Sequence, residues 1–220
     1  MGTQSTTEVR VVDATREHIP FIAWVMLTAF RSHLERGLWD YYIGGSDQEC
    51  LRFLEAMADT PTRHWMHHAN FIVAEAGGTP AAALCGYLEA ECGGPAFPQG
   101  MAEANAALGR SDDDNAAGWQ RAGSIALVVP EHVEGAWIIE NVATKPEFRR
   151  RGLVDRLMAL IMERGRERGA VTSDISVFIG NDSAQRAYEK AGYAAIAEKR
   201  HPDFEAVYQT PGVRTLRRSL

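Results

Sequence analysis

Trp137-Ile138-Ile139-Glu140-Asn141-Val142-Ala143-Thr144-Lys145-Pro146-Glu147-Phe148-Arg149-Arg150-Arg151-Gly152-Leu153-Val154 is the stretch that decides the fold. An apolar strand, Trp137 to Thr144, enters a proline-bounded turn that delivers three arginines and a glycine to the start of a helix. The first N–H groups of a helix lack partners inside it, and its macrodipole places about half a positive charge there. A diphosphate supplies the missing acceptors. Gly152 lets the backbone approach an anion without a Cβ in the way, and Arg149, Arg150 and Arg151 add charge and bidentate donors.

Downstream, after an amphipathic run, the chain reads Phe178-Ile179-Gly180-Asn181-Asp182-Ser183-Ala184-Gln185-Arg186-Ala187-Tyr188-Glu189-Lys190-Ala191-Gly192-Tyr193. The order strand, Pro-Glu-Phe-Arg-x-x-Gly, helix, strand, Asn181-x-x-Ala184-x-x-x-Tyr188-x-x-x-Gly192-Tyr193 resembles the GNAT superfamily of acetyl-CoA-dependent N-acetyltransferases, over about residues 136 to 195. The family's Arg/Gln-x-x-Gly-x-Gly/Ala pyrophosphate loop is matched by Arg149, Gly152 and Val154. Val154 departs from the usual Gly or Ala. It lies on an apolar helical stripe with Leu157, Met158 and Ile161, so its side chain is expected in the core while its amide still donates.

The resemblance implies an α/β fold: a mixed, mostly antiparallel sheet flanked by helices and splayed between the fourth and fifth strands, where a pantetheine arm inserts. It implies acetyl-CoA as co-substrate and no metal. By the same carry-over, the cofactor-binding residues are Val142, Ala143, Thr144, Arg149, Arg150, Arg151, Gly152, Leu153, Val154, Asn181, Ser183 and Tyr188. Backbone N–H groups of Val142 and Thr144 meet the thioester carbonyl and pantetheine, Asn181 hydrogen-bonds the arm, and Tyr188 protonates the departing thiolate. A homodimer is a further implication of the family.

The rest of the chain bounds this reading. With 220 residues, 45% apolar content and 24% charge, the expectation is one globular domain over residues 1–220. No apolar run reaches the roughly 18 to 20 residues that cross a bilayer, and the N-terminus lacks the basic-then-apolar order of a secretory signal, so no membrane partner and a cytoplasmic location are expected. Met1 to Thr6 formally fits a myristoylation pattern, without a basic patch to strengthen an anchor. Cys50, Cys85 and Cys92 include no Cys-x-x-Cys pair, which suggests neither a disulfide framework nor a zinc site. A net charge of −6 argues against nucleic acid as a partner. Arg164, Arg166 and Arg168 are expected to pair with Glu163 and Glu167 on their own helix.

Patterning gives a first strand over Glu8 to Val12 and a helix from Thr15 to about Leu34. A second helix opens at the capping box Ser46 to Glu49 and runs to about Ala58. Between them a loop carries Trp39, Tyr41 and Tyr42, which can wall a cationic-acceptor pocket or fill core. Strands at Phe71 to Ala76 and Ala82 to Ala90 flank the turn Gly77-Gly78-Thr79-Pro80. A helical insertion occupies about residues 95–134, with a helix from Ser111 to about Val128. After the strand at 137–144 follow a helix at 152–168, a strand at 172–178, a helix at 182–190, a strand at 193–199 and a last strand near 213–218.

The implied chemistry is attack of a neutral primary amine, on a small molecule or a protein, on the acetyl thioester. A lysine-like amine gives up roughly 4.6 kcal/mol to be neutral at pH 7, an N-terminal amine only about 1, so a base matters most for the former. Glu140 is the preferred general base, acting through water. Period-two alternation puts it on the face of Val142, and the competing reading is a carboxylate paired with an arginine or exposed at a strand end. His201, Asp203 and Glu205 are weaker candidates. His64-Trp65-Met66-His67-His68 offers imidazoles but no carboxylate or cysteine at ligand spacing. A non-catalytic acyl-CoA-binding sensor is the alternative to an enzyme.

Overall fold

The computed structural model describes residues 8–220; the Met1-to-Thr6 pattern lies outside them. β1 (Val9–Asp13) leads through a 3-10 turn (Arg16–His18) into α1 (Ile19–Arg31), α2 (Leu38–Ile43) and α3 (Asp47–Ala58). β2 (Phe71–Ala76) and β3 (Thr79–Leu88) precede α4 (Glu89–Cys92), α5 (Ala96–Ala107), α6 (Asp112–Ala122) and a 3-10 segment (Gly123–Val128). Then come β4 (Trp137–Thr144), α7 (Leu153–Glu167), β5 (Thr172–Phe178), α8 (Asp182–Lys190), β6 (Ala194–Arg200), α9 (Pro202–Tyr208) and β7 (Gly212–Ser219).

The sheet order is β1-β2-β3-β4-β5-β7-β6, antiparallel everywhere except between β4 and β5. This is the mixed, mostly antiparallel sheet expected, with the helical insertion between β3 and β4. Local chemistry accounts for most boundaries. Ser46 Oγ accepts from the Glu49 amide while Glu49 Oε2 accepts from the Ser46 amide, which starts α3. Gly77 and Gly78 both take positive φ (59° and 79°), so two residues suffice for the β2–β3 hairpin and Thr79 already pairs with Ala76. The strand therefore starts three residues earlier than Ala82 and ends at Leu88, where α4 begins.

Two layers of helices bury the sheet. On one face α1, α3 and the insertion cover Val73, Ala83, Cys85, Tyr87 and Ile138. On the other, α7 covers Ile72, Leu84, Trp137, Ile139 and Ile175. The contact of α7 with the sheet is close because two glycines flank the Trp137 indole: a Cβ on Gly165 would lie 2.7 Å from Trp137 Cγ, and one on Gly86 2.7 Å from Trp137 Cζ2. Cys50, Cys85 and Cys92 are free and buried.

Two expectations need correction. The segment before α3 folds as α2 and not as a loop; Trp39 and Tyr42, edge-on to each other and each tilted against Phe53, are wholly buried, which is the core alternative, while Tyr41 donates to the Val207 carbonyl. Of the basic residues late in α7, only Arg166 pairs within its helix, to Glu163 at 2.7 Å. Arg164 reaches Asp13 and Arg168 reaches Glu91, tying α7 to β1 and α4.

Candidate active site

β4 and β5 pair over only three residues each, Trp137 to Ile139 against Ser173 to Ile175. Beyond Ile139 the strands part, because β4 bulges. Cys85 lies opposite Glu140 and Ala83 opposite Ala143, which leaves Asn141 and Val142 facing Leu84 alone, and Asn141 adopts φ 56°. A bulge of this kind raises the local twist and turns the strand away from its neighbour. The wedge so opened is one wall of a cleft of about 1300 Å³.

The bulge also resets the alternation. Ile138 and Ala143 belong to the α1 face and Cys85, opposite Glu140, belongs to it too, whereas Val142 packs on the α7 face. Glu140 and Val142 therefore do not share a face, contrary to strict period-two reading. Both line the cleft, together with Asn141, Ala143 and Thr144. Asn141 Oδ1 and Thr144 Oγ1 are buried without a protein partner among the described residues, so the wedge holds polar capacity that a ligand can use.

Past Thr144 the turn Pro146–Phe148 brings Arg149, Arg150 and Gly152 to the cleft beside Leu153 and Val154. Arg150 and Gly152 take positive φ (61° and 71°), which points the first amides of α7 outward, and a Cβ on Gly152 would meet nothing within 4 Å. Intrahelical bonding begins with Arg156 N–H to the Gly152 carbonyl. The amides of Leu153, Val154 and Asp155 are left for an anion. Arg149 Nε donates to the Thr144 carbonyl at 3.3 Å. Arg151 turns back: it donates to the Glu147 carbonyl at 2.9 Å, lies 5.3 Å over the Phe148 ring and is absent from the cleft lining. Val154 packs against the α7-face core, as its stripe predicts.

Asn181, Ser183 and Tyr188 border the cleft from the β5–α8 side. Asn181 is engaged at both ends: Oδ1 caps α8 by accepting from the Ala184 amide (3.1 Å), and Nδ2 donates to Ser32 Oγ (2.6 Å) at the end of α1. Tyr188 is buried, and burial followed by the neighbouring Tyr193 pushes its phenol well above the ordinary range. It stays protonated at any physiological pH.

Glu140 accepts a hydrogen bond from Tyr87 Oη at 3.2 Å. Burial pushes its carboxyl up to about 7, against the opposing effects of His132 and the Tyr87 hydrogen bond. The reading of Glu140 as an arginine-paired or strand-end carboxylate does not describe this environment. Beside it His132 donates from Nδ1 to Asp174 Oδ2 (3.0 Å), and Asp174, wholly buried, accepts two bonds from Arg217 (2.6 and 2.7 Å). His201, Asp203 and Glu205 sit at the start of α9 and do not line the cleft.

Sequence reasoning placed the helical insertion but not the residues with which it roofs the cleft. The insertion crosses from β3 to the β7 half of the sheet: Val128 packs with Phe204, Tyr208 and Val213, and Tyr208 Oη donates to the Ala122 carbonyl at 2.9 Å. That anchoring holds Ile125, Val128 and His132 over the wedge. It also missed an aromatic wall. Trp65 stacks on Phe97 (5.2 Å, 27°) and on Tyr87 (6.5 Å, 26°), and Phe30 tilts onto Trp65 (5.9 Å). These residues come from four separate elements or loops, with no local motif to join them. Among the described residues no cluster of three His, Cys, Asp or Glu could hold a metal, and no helix is long and apolar enough to cross a membrane.

Comparison with known proteins bears on the family and the fold. Residues 34–193 match the acetyltransferase (GNAT) family. No curated protein matches. Among solved structures, one described as an acetyltransferase is 16% identical with a TM-score of 0.68, covering 96% of this chain and 98% of its own. The N-acetyltransferase from Staphylococcus aureus Mu50 is 16% identical with a TM-score of 0.65, covering 95% and 100%. The Drosophila melanogaster polyamine N-acetyltransferase, which catalyses formation of N-acetylagmatine, is 17% identical with a TM-score of 0.55, covering 97% and 100%. At these identities the likeness is one of fold.

Proposed function

The chain belongs to the GNAT acetyltransferase family and is an acyltransferase, and from that premise we propose that it moves the acetyl group of acetyl-CoA directly to a primary amine, with residues 8–220 acting as one catalytic domain. The observation that carries this reading is the wedge itself: the unpaired edge of β4, the free amides of α7, Tyr188 and Glu140 all open onto one cleft.

In this reading the diphosphate of acetyl-CoA is held by the amides of Leu153 to Asp155 with Arg149 and Arg150, and Gly152 gives the backbone its left-handed turn. The pantetheine arm takes the strand position that β5 vacates, against the backbone of Val142, Ala143 and Thr144, with Ser183 on the opposite lip. Arg151 contributes through the shape of the turn. The amine nitrogen attacks the thioester carbonyl carbon, the C–N bond forms, and the oxyanion is met by main-chain N–H of the bulged strand. An ammonium acceptor has by then passed one proton through water to Glu140; as the C–S bond breaks, Tyr188 Oη gives its proton to the sulfur and recovers one through water from the newly acylated nitrogen.

The acceptor end lies under the insertion, between Glu140 and the wall of Phe30, Trp65, Tyr87 and Phe97. A carboxylate next to aromatic faces attracts an ammonium by charge and by cation–π contact. That supports an amine carried on an apolar or aromatic body, reaching Glu140 along Tyr87.

Thiol release from acetyl-CoA, measured over a panel of arylalkylamines, polyamines and peptide N-termini, tests the reading. Turnover with at least one amine, lost in Tyr188→Phe and lowered about a hundredfold or more in Glu140→Gln, is the expected result. Tight coenzyme A binding with no turnover on any amine would contradict it.

A further inference from the structure

One buried cluster on the acceptor side is left unused by this chemistry. Ile138 on β4 pairs in register with Asp174 on β5. Ser173, Ile175 and Val177 turn to the α7 face through Tyr193 and the core there, so Asp174 points to the opposite face, the one that Ile138 and Glu140 share. Glu140 is thus one pleat along from Asp174 on the same side of the sheet. His132 lies over this pair, at the point where the insertion rejoins β4.

A carboxylate oxygen only accepts, so the 3.0 Å contact fixes the proton of neutral His132 on Nδ1 and leaves a lone pair on Nε2. Nε2 has no protein partner among the described residues, and the side chain is 16% exposed where it borders the cleft. Arg217 from β7 already satisfies the charge of Asp174 with two bonds, so the carboxylate orients the ring without needing its proton. The other charged groups near it are Glu140, which feels the His132 ring across the cleft and Glu89 from its other side, and the sequence neighbour Glu131, which pairs with Lys199 of β6.

Resting on the acetyltransferase reading above, we propose that His132, oriented by Asp174, is the second station of a proton path that carries the acceptor's ammonium proton away from Glu140 to solvent. The ammonium N–H bond breaks and an O–H bond forms on Glu140, through water. That O–H bond then breaks as Nε2 gains the proton, again through water, and the part-exposed imidazolium returns it to bulk water. Charge balances at each step: the acceptor becomes neutral, Glu140 returns to carboxylate, and the imidazolium is transient beside Asp174. His132 positions and relays; it does not touch the reacting carbonyl.

The test uses two variants that divide the ring between them. Asn in place of His132 keeps a donor near Nδ1 for Asp174 but offers nothing at Nε2; Gln reaches the Nε2 position. Each is assayed on an alkylammonium acceptor and on an amine already neutral at the assay pH. The expected result is that His132→Asn lowers kcat by about tenfold or more on the ammonium acceptor, a loss at least several times larger than on the neutral amine, with KM for acetyl-CoA unchanged. An equal loss on both acceptors, or full activity of His132→Asn on the ammonium, would overturn it. Nitrogen-15 NMR of the wild-type imidazole adds a reading that needs no variant: in its neutral form the ring is expected as the Nδ1–H tautomer, and an Nε2–H tautomer contradicts the path. If the wild type turns over no amine, the parent reading fails; an inert substitution in an active enzyme sinks only the relay.

Discussion

Tyr87 donates its phenolic hydrogen to Glu140 across 3.2 Å, in the part of the sheet where β3 and β4 fall out of step. The bond joins a carboxyl that burial lifts to about 7 to a phenol that burial lifts well above its own ordinary value. Each group thereby sits on the useful side of neutrality, Glu140 able to take a proton and Tyr87 unable to lose one.

A general base works only when ionised. With Glu140 near 7, kcat/KM for an ammonium acceptor is expected to rise with pH through an acid limb centred near 7. Glu140→Gln should remove that limb, and a pH profile of both proteins checks it.

The same lift has a thermodynamic consequence of definite sign. The folded carboxyl binds a proton more tightly than the unfolded one, near 4.3, so between those two values the native state holds more protons and loses stability as pH rises. Glu140→Gln, which stays neutral, is expected to melt higher than the wild type at pH 8 and about level with it at pH 5. Thermal melts at the two pH values decide the matter.

Arg150 and Arg151 are adjacent in sequence and face different ways. Arg150→Ala should weaken coenzyme A binding by roughly 10- to 100-fold, the range of one charge-assisted hydrogen bond. Arg151→Ala, whose guanidinium lies on Phe148, should change it by a few-fold at most. Calorimetry on the two variants separates them.

Gly165 sits inside α7, where alanine ordinarily gains about 1 kcal/mol of helix propensity. Here its Cβ would strike the Trp137 indole at 2.7 Å. Gly165→Ala is expected to destabilise by about 1–3 kcal/mol through overpacking, with the sign reversed from propensity. Denaturant unfolding reads it directly.

The legible part of this protein was what one continuous segment encodes. The strand, the arginine turn, Gly152 and the spacing from Asn181 to Tyr188 all lie within about 57 residues, and they mark out a helix start with free amides and the cleft wall. What escaped was assembled from distant segments. The bulge depends on a one-residue mismatch between β3 and β4 that shows only once the strands pair, and it moved Val142 off the face of Glu140. His132 reads as a loop residue until Asp174, 42 positions later, is buried beneath it. For Trp39 and Tyr42 pocket wall and core are equally open in the sequence; α2 turns them inward, and Trp65, Phe97 and Phe30 line the cleft.

The most direct test of the account is a crystal structure of the protein grown with coenzyme A. The account predicts its diphosphate on the amides of Leu153 to Asp155 and its pantetheine arm lying between β4 and β5, with the sulfur near Tyr188. A coenzyme bound anywhere else, with the strands closed against each other beyond Ile139, would contradict it.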